Sequence, residues 1–229
     1  MRAGRGYTTL KGKEEHKMRY LSIIFFCLII LVGCIGPPVR DAAKVDMDLP
    51  VGRIEGNQFV GIRYPFRVTA PANWTVAMEH PKFMEALGYD KQGLKESQIF
   101  VFNPDTQSNL QIELRPASPF AKFDQRIIEE MVTGISEDFA IDVNRQYGTR
   151  ISFSRTVPIS LKGVQYAAEK HGTFAVEGMI RHQGWIYAFA EPYQIFILYM
   201  IILEKGGARN KDLEDLRSIL ESFEVFSKK

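Results

Sequence analysis

The chain has 229 residues, and its 29 Lys and Arg side chains nearly balance its 27 Asp and Glu side chains, which gives a formal net charge of +2. A charge this small argues against a basic surface for nucleic acid. Two cysteines are also too few for a small domain held together by disulfides. The length and the hydrophobic content of 45% favour a domain that is stabilised by its own core.

The N-terminal region has the features of a secretory signal. An apolar run at 21–32 follows Lys17 and Arg19 and is closed by small and helix-stopping residues. Such signals combine a positive start, an apolar core of roughly 7 to 15 residues and a small residue at the cut. We therefore expect residues 1–33 to be a signal peptide. Residues 1–17 either precede the true start or form a long basic n-region.

An uncleaved anchor helix is the alternative for this region. A helix needs about 20 apolar residues to cross the hydrocarbon layer, and the stretch 20–35 falls short of that. Both alternatives leave the basic residues inside and send the rest of the chain out of the cytoplasm.

The end of the apolar run, "LVGC" at 31–34, resembles the lipobox of bacterial lipoproteins. The resemblance implies that the Cys34 thiol receives a diacylglyceryl group and that a peptidase cuts before it. Cys27 does not fit the motif because two bulky Phe residues precede it. The expected membrane contact is thus the lipid on Cys34. Ile35 follows, and in two-membrane bacteria a residue other than Asp there favours the outer membrane.

Cleavage would reverse the sign of the net charge. Residues 1–33 hold six basic and two acidic side chains, so the mature chain would carry 23 basic and 25 acidic ones, a net charge of about −2. We therefore expect no nucleic-acid partner. Residues 34–56 are rich in Pro, Gly and charge, which predicts a lipidated N-terminus and a linker with a reach of about 25 Å. A single domain is expected over 57–229.

The first half of that domain reads as strands. Two short aromatic runs, 59–64 and 66–69, predict a strand pair with Pro65 at an edge or bend. Residues 77–96 predict a helical turn or two, interrupted by glycine. The stretch 98–116 predicts strand, turn and strand from the alternation of apolar residues Ile99, Val101, Leu110, Ile112 and Leu114.

An amphipathic helix is predicted next, capped by Asp124 and weakened at Gly134. Its apolar residues recur every fourth position, with two more beside them: Ile127, Met131, Ile135 and Phe139, then Ile128 and Val132. A loop is expected near 147–150.

The second half of the domain predicts long strands and a last helix. The strands are 151–157, 164–176, 179–190 and 195–203, and the last of these is apolar on both faces, as a central strand of a covered sheet requires. Asn210 would cap the closing helix. Its apolar stripe consists of Leu213, Leu216, Leu220 and Phe223.

The order strands, helix, strands, helix predicts an α+β fold, with an antiparallel sheet covered by helices. Together with the phrases "YPFRVTAPANW" and "LRSILESFEVF", this order resembles the PsbP and Mog1 type of α/β/α sandwich over roughly residues 57–226. The resemblance implies a binding or assembly module and transfers no functional residue. The sequence contains no recognised nucleophile elbow, zinc-protease motif or phosphate loop, so no catalytic residue and no cofactor are assigned.

Two groups of side chains are candidates for a metal site and a ligand groove. A two-residue turn at 177–178 would place His171 and His182 diagonally on one sheet face with Glu169 further along it, a set that suits zinc or copper. The plainer interpretation, which we prefer, is a polar outer face, so no metal site is assigned. Likewise, an alternating aromatic row at 185, 187 and 189 either lines a groove or packs under a helix, and packing is preferred.

The sequence thus predicts an extracytoplasmic, membrane-anchored lipoprotein that binds or helps to assemble another envelope component, with an envelope protein as its expected partner and no catalytic activity. Two alternatives stay open: a carrier or sensor of a small apolar ligand or metal, and an enzyme of unrecognised type.

Overall fold

The computed structural model describes residues 45–87, 89, 91–203 and 211–226. Residues 1–44, which hold the predicted signal peptide and Cys34, lie outside the described residues, and so does Asn210, the predicted helix cap. None of the helices in the described part is long and apolar enough to cross a membrane.

Twelve strands and four helices are found within the described ranges. The helices are α1 Lys82–Ala86, α2 Lys91–Glu96, α3 Gln125–Tyr147 and α4 Lys211–Ser222. The strands are β1 Gly52–Glu55, β2 Gln58–Gly61, β3 Phe66–Thr69, β4 Thr75–Ala77, β5 Ile99–Phe102, β6 Asn109–Pro116, β7 Ser152–Phe153, β8 Val157–Pro158, β9 Tyr166–Val176, β10 Met179–Ala190, β11 Tyr193–Leu203 and β12 Glu224–Val225.

An eight-stranded antiparallel sheet has the strand order β4-β5-β6-β11-β10-β9-β7, with β8 also paired to β9. Since β11 lies between β6 and β10, the prediction that it is a central strand is confirmed. The β9–β10 hairpin turns at Glu177 and Gly178, both with positive φ (52° and 78°), as a two-residue turn of type I′ requires. The resulting register sets Thr173 opposite His182 and Gly184 opposite His171, which places the two histidines diagonally on one face, as predicted.

A second, four-stranded sheet has the order β1-β2-β3-β12, which the sequence pattern did not predict. The linker prediction is wrong for residues 52–55, because they form β1 and pair with β2. Arg63 holds the preceding segment by donating to the Leu49 carbonyl at 2.7 and 3.0 Å. Only the first residue of β1 is buried. The sequence of this strand therefore lacks the alternation of apolar and polar residues by which a strand is predicted.

Two apolar layers cover the faces of the large sheet. Successive residues of a strand point to opposite faces. Ile186 and Ala188 of β10 therefore join the layer that contains α4 and the small sheet, whereas Trp185 and Phe189 join the layer under α3. The fold is α+β, with an antiparallel sheet between helices, as the sequence predicted.

Helix α3 is longer than its predicted stripe. Asp124 caps it by accepting a hydrogen bond from the backbone N–H of Ile127 at 2.9 Å, as predicted. It ends at Gly148, whose left-handed conformation (φ 64°) lets its N–H reach the Asn144 carbonyl at 2.9 Å. The predicted loop therefore begins only at 148. The fully buried residues of α3 are Ile128, Val132, Ser136 and Val143, whereas the predicted i+4 series is only half-buried.

Helix α4 follows the predicted stripe with one correction. Leu216 and Phe223 are buried as expected, but Leu220 is only half-buried. Ile219, which the stripe omitted, is fully buried. The buried face of α4 is therefore rotated by about one residue from the face that the leucine spacing predicted.

Candidate functional site

The aromatic row of β10 packs under α3. Trp185, Phe189 and Tyr187 are all buried. Phe123 stacks on Phe189 with 4.4 Å between ring centroids, and Phe139 meets Trp185 edge-on at 5.2 Å. The preferred interpretation of the row as core packing is therefore confirmed, but the packing is incomplete on one side of Trp185.

A cavity of about 270 Å³ lies there, between α3 and the strands β6, β10 and β11; we call it the α3 cavity. This volume lies near the lower end of the range for small-molecule sites. Most of its wall is apolar, and its main apolar lining residues are Phe139, Val143, Phe174, Trp185, Leu198 and Met200. An apolar wall of this kind favours the hydrocarbon or aromatic part of a ligand.

Arg181 is the charged group buried in the wall of the α3 cavity, with 4% of its surface exposed. One terminal nitrogen, Nη1, donates to the carbonyl of Leu87 at 3.0 Å. Its Nε–H has no hydrogen-bond partner, and no described residue forms an ion pair with the guanidinium group. A buried cation without an anion is costly, which marks this position as unusual for an apo core.

Amide side chains add further unsatisfied atoms. Gln111 lines the cavity, and its buried Oε1 has no hydrogen-bond partner in the described part of the chain. Gln183 is fully buried between Arg181 and Trp185 on the same face of β10, and neither atom of its amide meets hydrogen-bond geometry. Each unsatisfied buried group costs about 1–3 kcal/mol. A ligand that supplies partners would recover part of that free energy.

Tyr89 completes the polar side of the cavity. Its hydroxyl donates to Asn109 Oδ1 at 2.7 Å. Burial raises the pKa of Tyr89 well above its usual value, and the nearby Arg181 cation opposes the rise only in part. Tyr89 thus keeps its proton at neutral pH and acts as a donor.

A second cavity of about 290 Å³ adjoins the first and shares Ile135 and Phe196 with it. Glu113 and Arg115 line it and form an ion pair, and burial raises the pKa of Glu113. Burial also raises the pKa of Tyr187 to about 12, and its hydroxyl donates to Gln194 Oε1. In contrast to Arg181, the charged groups of this second cavity are paired with each other.

Arg181, Gln183 and Gln111 were not predicted as site residues from the sequence. The two-residue period of a strand could have identified two of them. Arg181 and Gln183 precede the aromatic row at two-residue spacing and therefore lie on the same face of β10. Polar residues that continue a row packed under a helix indicate either a satisfied network or a cavity. Here the unpartnered atoms favour the cavity.

The predicted histidine pair does come together. The rings of His171 and His182 have centroids 4.9 Å apart on the face opposite the α3 cavity. Burial lowers the pKa of His182 to about 4, and His171 adds to the effect. Glu169, the third predicted member, accepts a hydrogen bond from the hydroxyl of Tyr199 at 2.8 Å. The described residues contain no group of three side chains placed to hold a metal ion.

Tyr199 reaches Glu169 by crossing Gly184, which lies between them on β10. A Cβ built on Gly184 would lie 1.8 Å from Cζ of the tyrosine ring, so the ring occupies the space that any side chain there would need. The glycine therefore makes the hydrogen bond across β10 possible. The predicted lipid site, Cys34, lies outside the described residues.

Comparison with known proteins gives structural likeness only. No family model and no curated protein matches the chain. LpqN of Mycobacterium tuberculosis, described as involved in cell envelope biogenesis, has a TM-score of 0.48 at 10% identity over 82% of this chain and 91% of that one. A crystal structure from Bacteroides thetaiotaomicron VPI-5482 has a TM-score of 0.45 at 12% identity over 76% of this chain, and the chain spans half of its length.

The solution structure of the cyanobacterial PsbP protein CyanoP from Synechocystis sp. PCC 6803 has a TM-score of 0.50 at 12% identity. The match covers 80% of this chain and 98% of CyanoP. The chain therefore has a PsbP-like α+β fold.

Proposed function

We propose that this chain is a lipid-anchored, extracytoplasmic binding module of the cell envelope, and that a small ligand occupies its α3 cavity. The observation that carries the proposal is the cavity itself, which is lined by apolar side chains and bordered by unpartnered polar atoms of Arg181 and Gln111. Between a docking module and a carrier of a small apolar ligand, this geometry favours the carrier.

The polar groups of the cavity suit recognition more than proton transfer. The guanidinium group of Arg181 offers donors only. The raised pKa of Tyr89 keeps its hydroxyl protonated, and the amide of Gln111 does not titrate. These groups offer fixed donors and acceptors, which orient a ligand without exchanging protons with it.

The proposed tether is short. Cys34 and residue 45, where the described chain begins, are eleven residues apart, which spans at most about 40 Å when fully extended. A lipid on Cys34 would keep the domain within that distance of the outer bilayer leaflet. Tethering can raise effective concentrations to about the millimolar range, so a weakly held ligand passed to or from a membrane protein would still be captured.

The test fills the α3 cavity and asks whether small-molecule binding disappears. Val143 lines the cavity and is buried, so Val143→Trp would occupy the ligand space. Ile141→Trp is the matched control, because Ile141 lies on the same helix but is 56% exposed. We expect a thermal-shift screen of small organic acids, alcohols and amides to stabilise the wild-type chain and the control, but not Val143→Trp.

Circular dichroism of both variants checks that the fold is retained. If no compound stabilises the wild-type chain, or if Val143→Trp responds like Ile141→Trp, the α3 cavity is not the binding element and the proposal is wrong.

A further inference from the structure

We propose that the ligand of the α3 cavity is a small organic anion, whose carboxylate binds Arg181 and whose apolar body lies against Trp185 and Phe139. This inference rests on the proposed function and names the chemical class of the ligand. It starts from the buried guanidinium group, which has no anionic partner among the described residues.

The geometry of Arg181 suits a carboxylate. A guanidinium group presents its N–H donors as a planar fork that matches the two oxygens of a carboxylate. Here one donor, Nη1, is used by the Leu87 carbonyl, while Nε–H is free and completely buried. Because Nε–H is closed off from the cavity, the Arg181 side chain would have to turn for a carboxylate in the cavity to satisfy the free donor and neutralise the charge.

The chain does not supply this anion from the described wall of the cavity. Asp142 is the acidic lining residue, but it is exposed and pairs with Arg145 at 3.1 Å. In the second cavity Glu113 is paired with Arg115. The charge that is left to be matched is therefore the positive charge of Arg181, which makes the cavity complementary to a monoanion.

The wall also limits the size and shape of the ligand. The cavity volume of about 270 Å³ lies near the lower end of the range for small-molecule sites, so we expect the ligand to be a small compound. Phe139 and Trp185 present ring surfaces that pack well against an aromatic or short aliphatic body.

Gln111 favours a ligand with a hydrogen-bond donor at the end opposite its carboxylate. It pairs with Leu198, which pairs with Trp185, so Gln111 lies two strands and four residues away from Arg181. By ordinary sheet spacings the two Cα atoms are about 16 Å apart. The unpartnered Oε1 of Gln111 needs a donor. A hydroxyl group at the end opposite the carboxylate would supply one.

The probe that follows from these features is 3-(4-hydroxyphenyl)propionate. Its two comparison compounds are the neutral amide of the same acid, which lacks the negative charge, and 3-phenylpropionate, which lacks the hydroxyl group. Isothermal titration of the full wild-type chain should give the hydroxyphenyl acid at least tenfold tighter binding than its amide. The phenyl acid should bind severalfold more weakly than the hydroxyphenyl acid.

The protein variants are Arg181→Met, Arg181→Lys and Gln111→Leu. Arg181→Met should weaken binding of the acid at least tenfold and leave binding of the amide unchanged, because the amide carries no negative charge for the guanidinium group to match. Arg181→Lys should restore part of the affinity. Without ligand, Arg181→Met should unfold at an equal or higher temperature than wild type, since it removes an uncompensated buried charge.

Asp90→Asn tests the alternative that an internal acid neutralises Arg181, because Asp90 is the acidic residue that follows Tyr89 in the sequence. If Asp90→Asn and Arg181→Met both lower the unfolding temperature of the ligand-free chain, the arginine has a structural partner and the inference is wrong.

Binding of the acid, its amide and the phenyl acid to the wild-type chain tests the preference for an anion even if a variant does not fold. If the amide binds as tightly as the acid and Val143→Trp abolishes both, the cavity binds small molecules but not specifically anions, so this inference fails and the proposed function stands. If none of the compounds in the screen binds, the proposed function fails as well.

Discussion

Helix α4 offers a direct test of which residues hold it on the sheet. Ile219 is fully buried, whereas the adjacent Leu220 is only half-buried. Ile219→Ala removes three carbons, worth about 2.4 kcal/mol at about 0.8 kcal/mol per buried group. A cavity of up to about 80 Å³ adds at most about 2 kcal/mol. We therefore expect a loss of about 2.5–4 kcal/mol in the free energy of unfolding.

Leu220→Ala is the matched control, because it removes the same number of carbons from the neighbouring position. It should cost less than Ile219→Ala, since the Leu220 side chain is already partly exposed in the folded chain.

Urea unfolding followed by tryptophan fluorescence measures both losses. Trp74 is buried and its indole donates to Asp215 of α4 at 3.1 Å, so it reports directly on whether the helix is docked. Equal losses for the two variants, or a loss below about 0.5 kcal/mol for Ile219→Ala, would refute the orientation of the helix.

Three further predictions concern the anchor, the first sheet and the histidines. Cys34→Ser should block lipidation and leave the uncleaved form, and mass spectrometry of the native protein should find diacylglycerol on Cys34; an unmodified cysteine would contradict this. The fragment 45–229 should be more stable to urea than 57–229, because the shorter piece lacks β1; equal midpoints would show that β1 contributes nothing. His182 is held neutral when folded, with a pKa of about 4 against 6.5 in the unfolded chain, so stability should fall as pH drops from about 6.5 to 4. His182→Gln should flatten that part of the pH profile, and an unchanged profile would point to another group.

The hairpin register could be predicted from the sequence because it depends on local chemistry. A Glu-Gly pair between two long strands selects a two-residue turn, and the turn fixes every cross-strand pair beyond it, including Thr173 with His182. The central position of β11 followed from its apolar residues on both faces. Both inferences need only the neighbours in the chain.

The α3 cavity could not be predicted because it depends on how a helix is rotated over a sheet. The i+4 series with Ile135 and Phe139 suggested the face of α3 that would fill the layer. In the structure Ile128 and Val132, which were predicted beside that series, are fully buried, whereas Ile135 and Phe139 are partly buried and line the α3 cavity. A rotation of about one residue, or 100°, decides whether the helix fills the layer or leaves a cavity, and periodicity does not resolve it.

The linker error has a different cause. Strand β1 buries one of its four residues and is held by backbone hydrogen bonds to β2. Backbone pairing leaves no trace in side-chain patterns, so a short edge strand of this kind resembles a loop.

The small sheet also sets an order of events during synthesis. Its strand β3 pairs with β12, and Arg67 bonds to Glu224, a residue 157 positions later. A ribosome makes the chain from its N-terminus, so β1, β2 and β3 must wait, with the edge of β3 unpaired, until residues 224 and 225 have emerged. Residues far along the chain thus complete the first sheet, and a frameshift or protease cut near residue 224 would damage a sheet whose other strands lie more than 150 residues earlier.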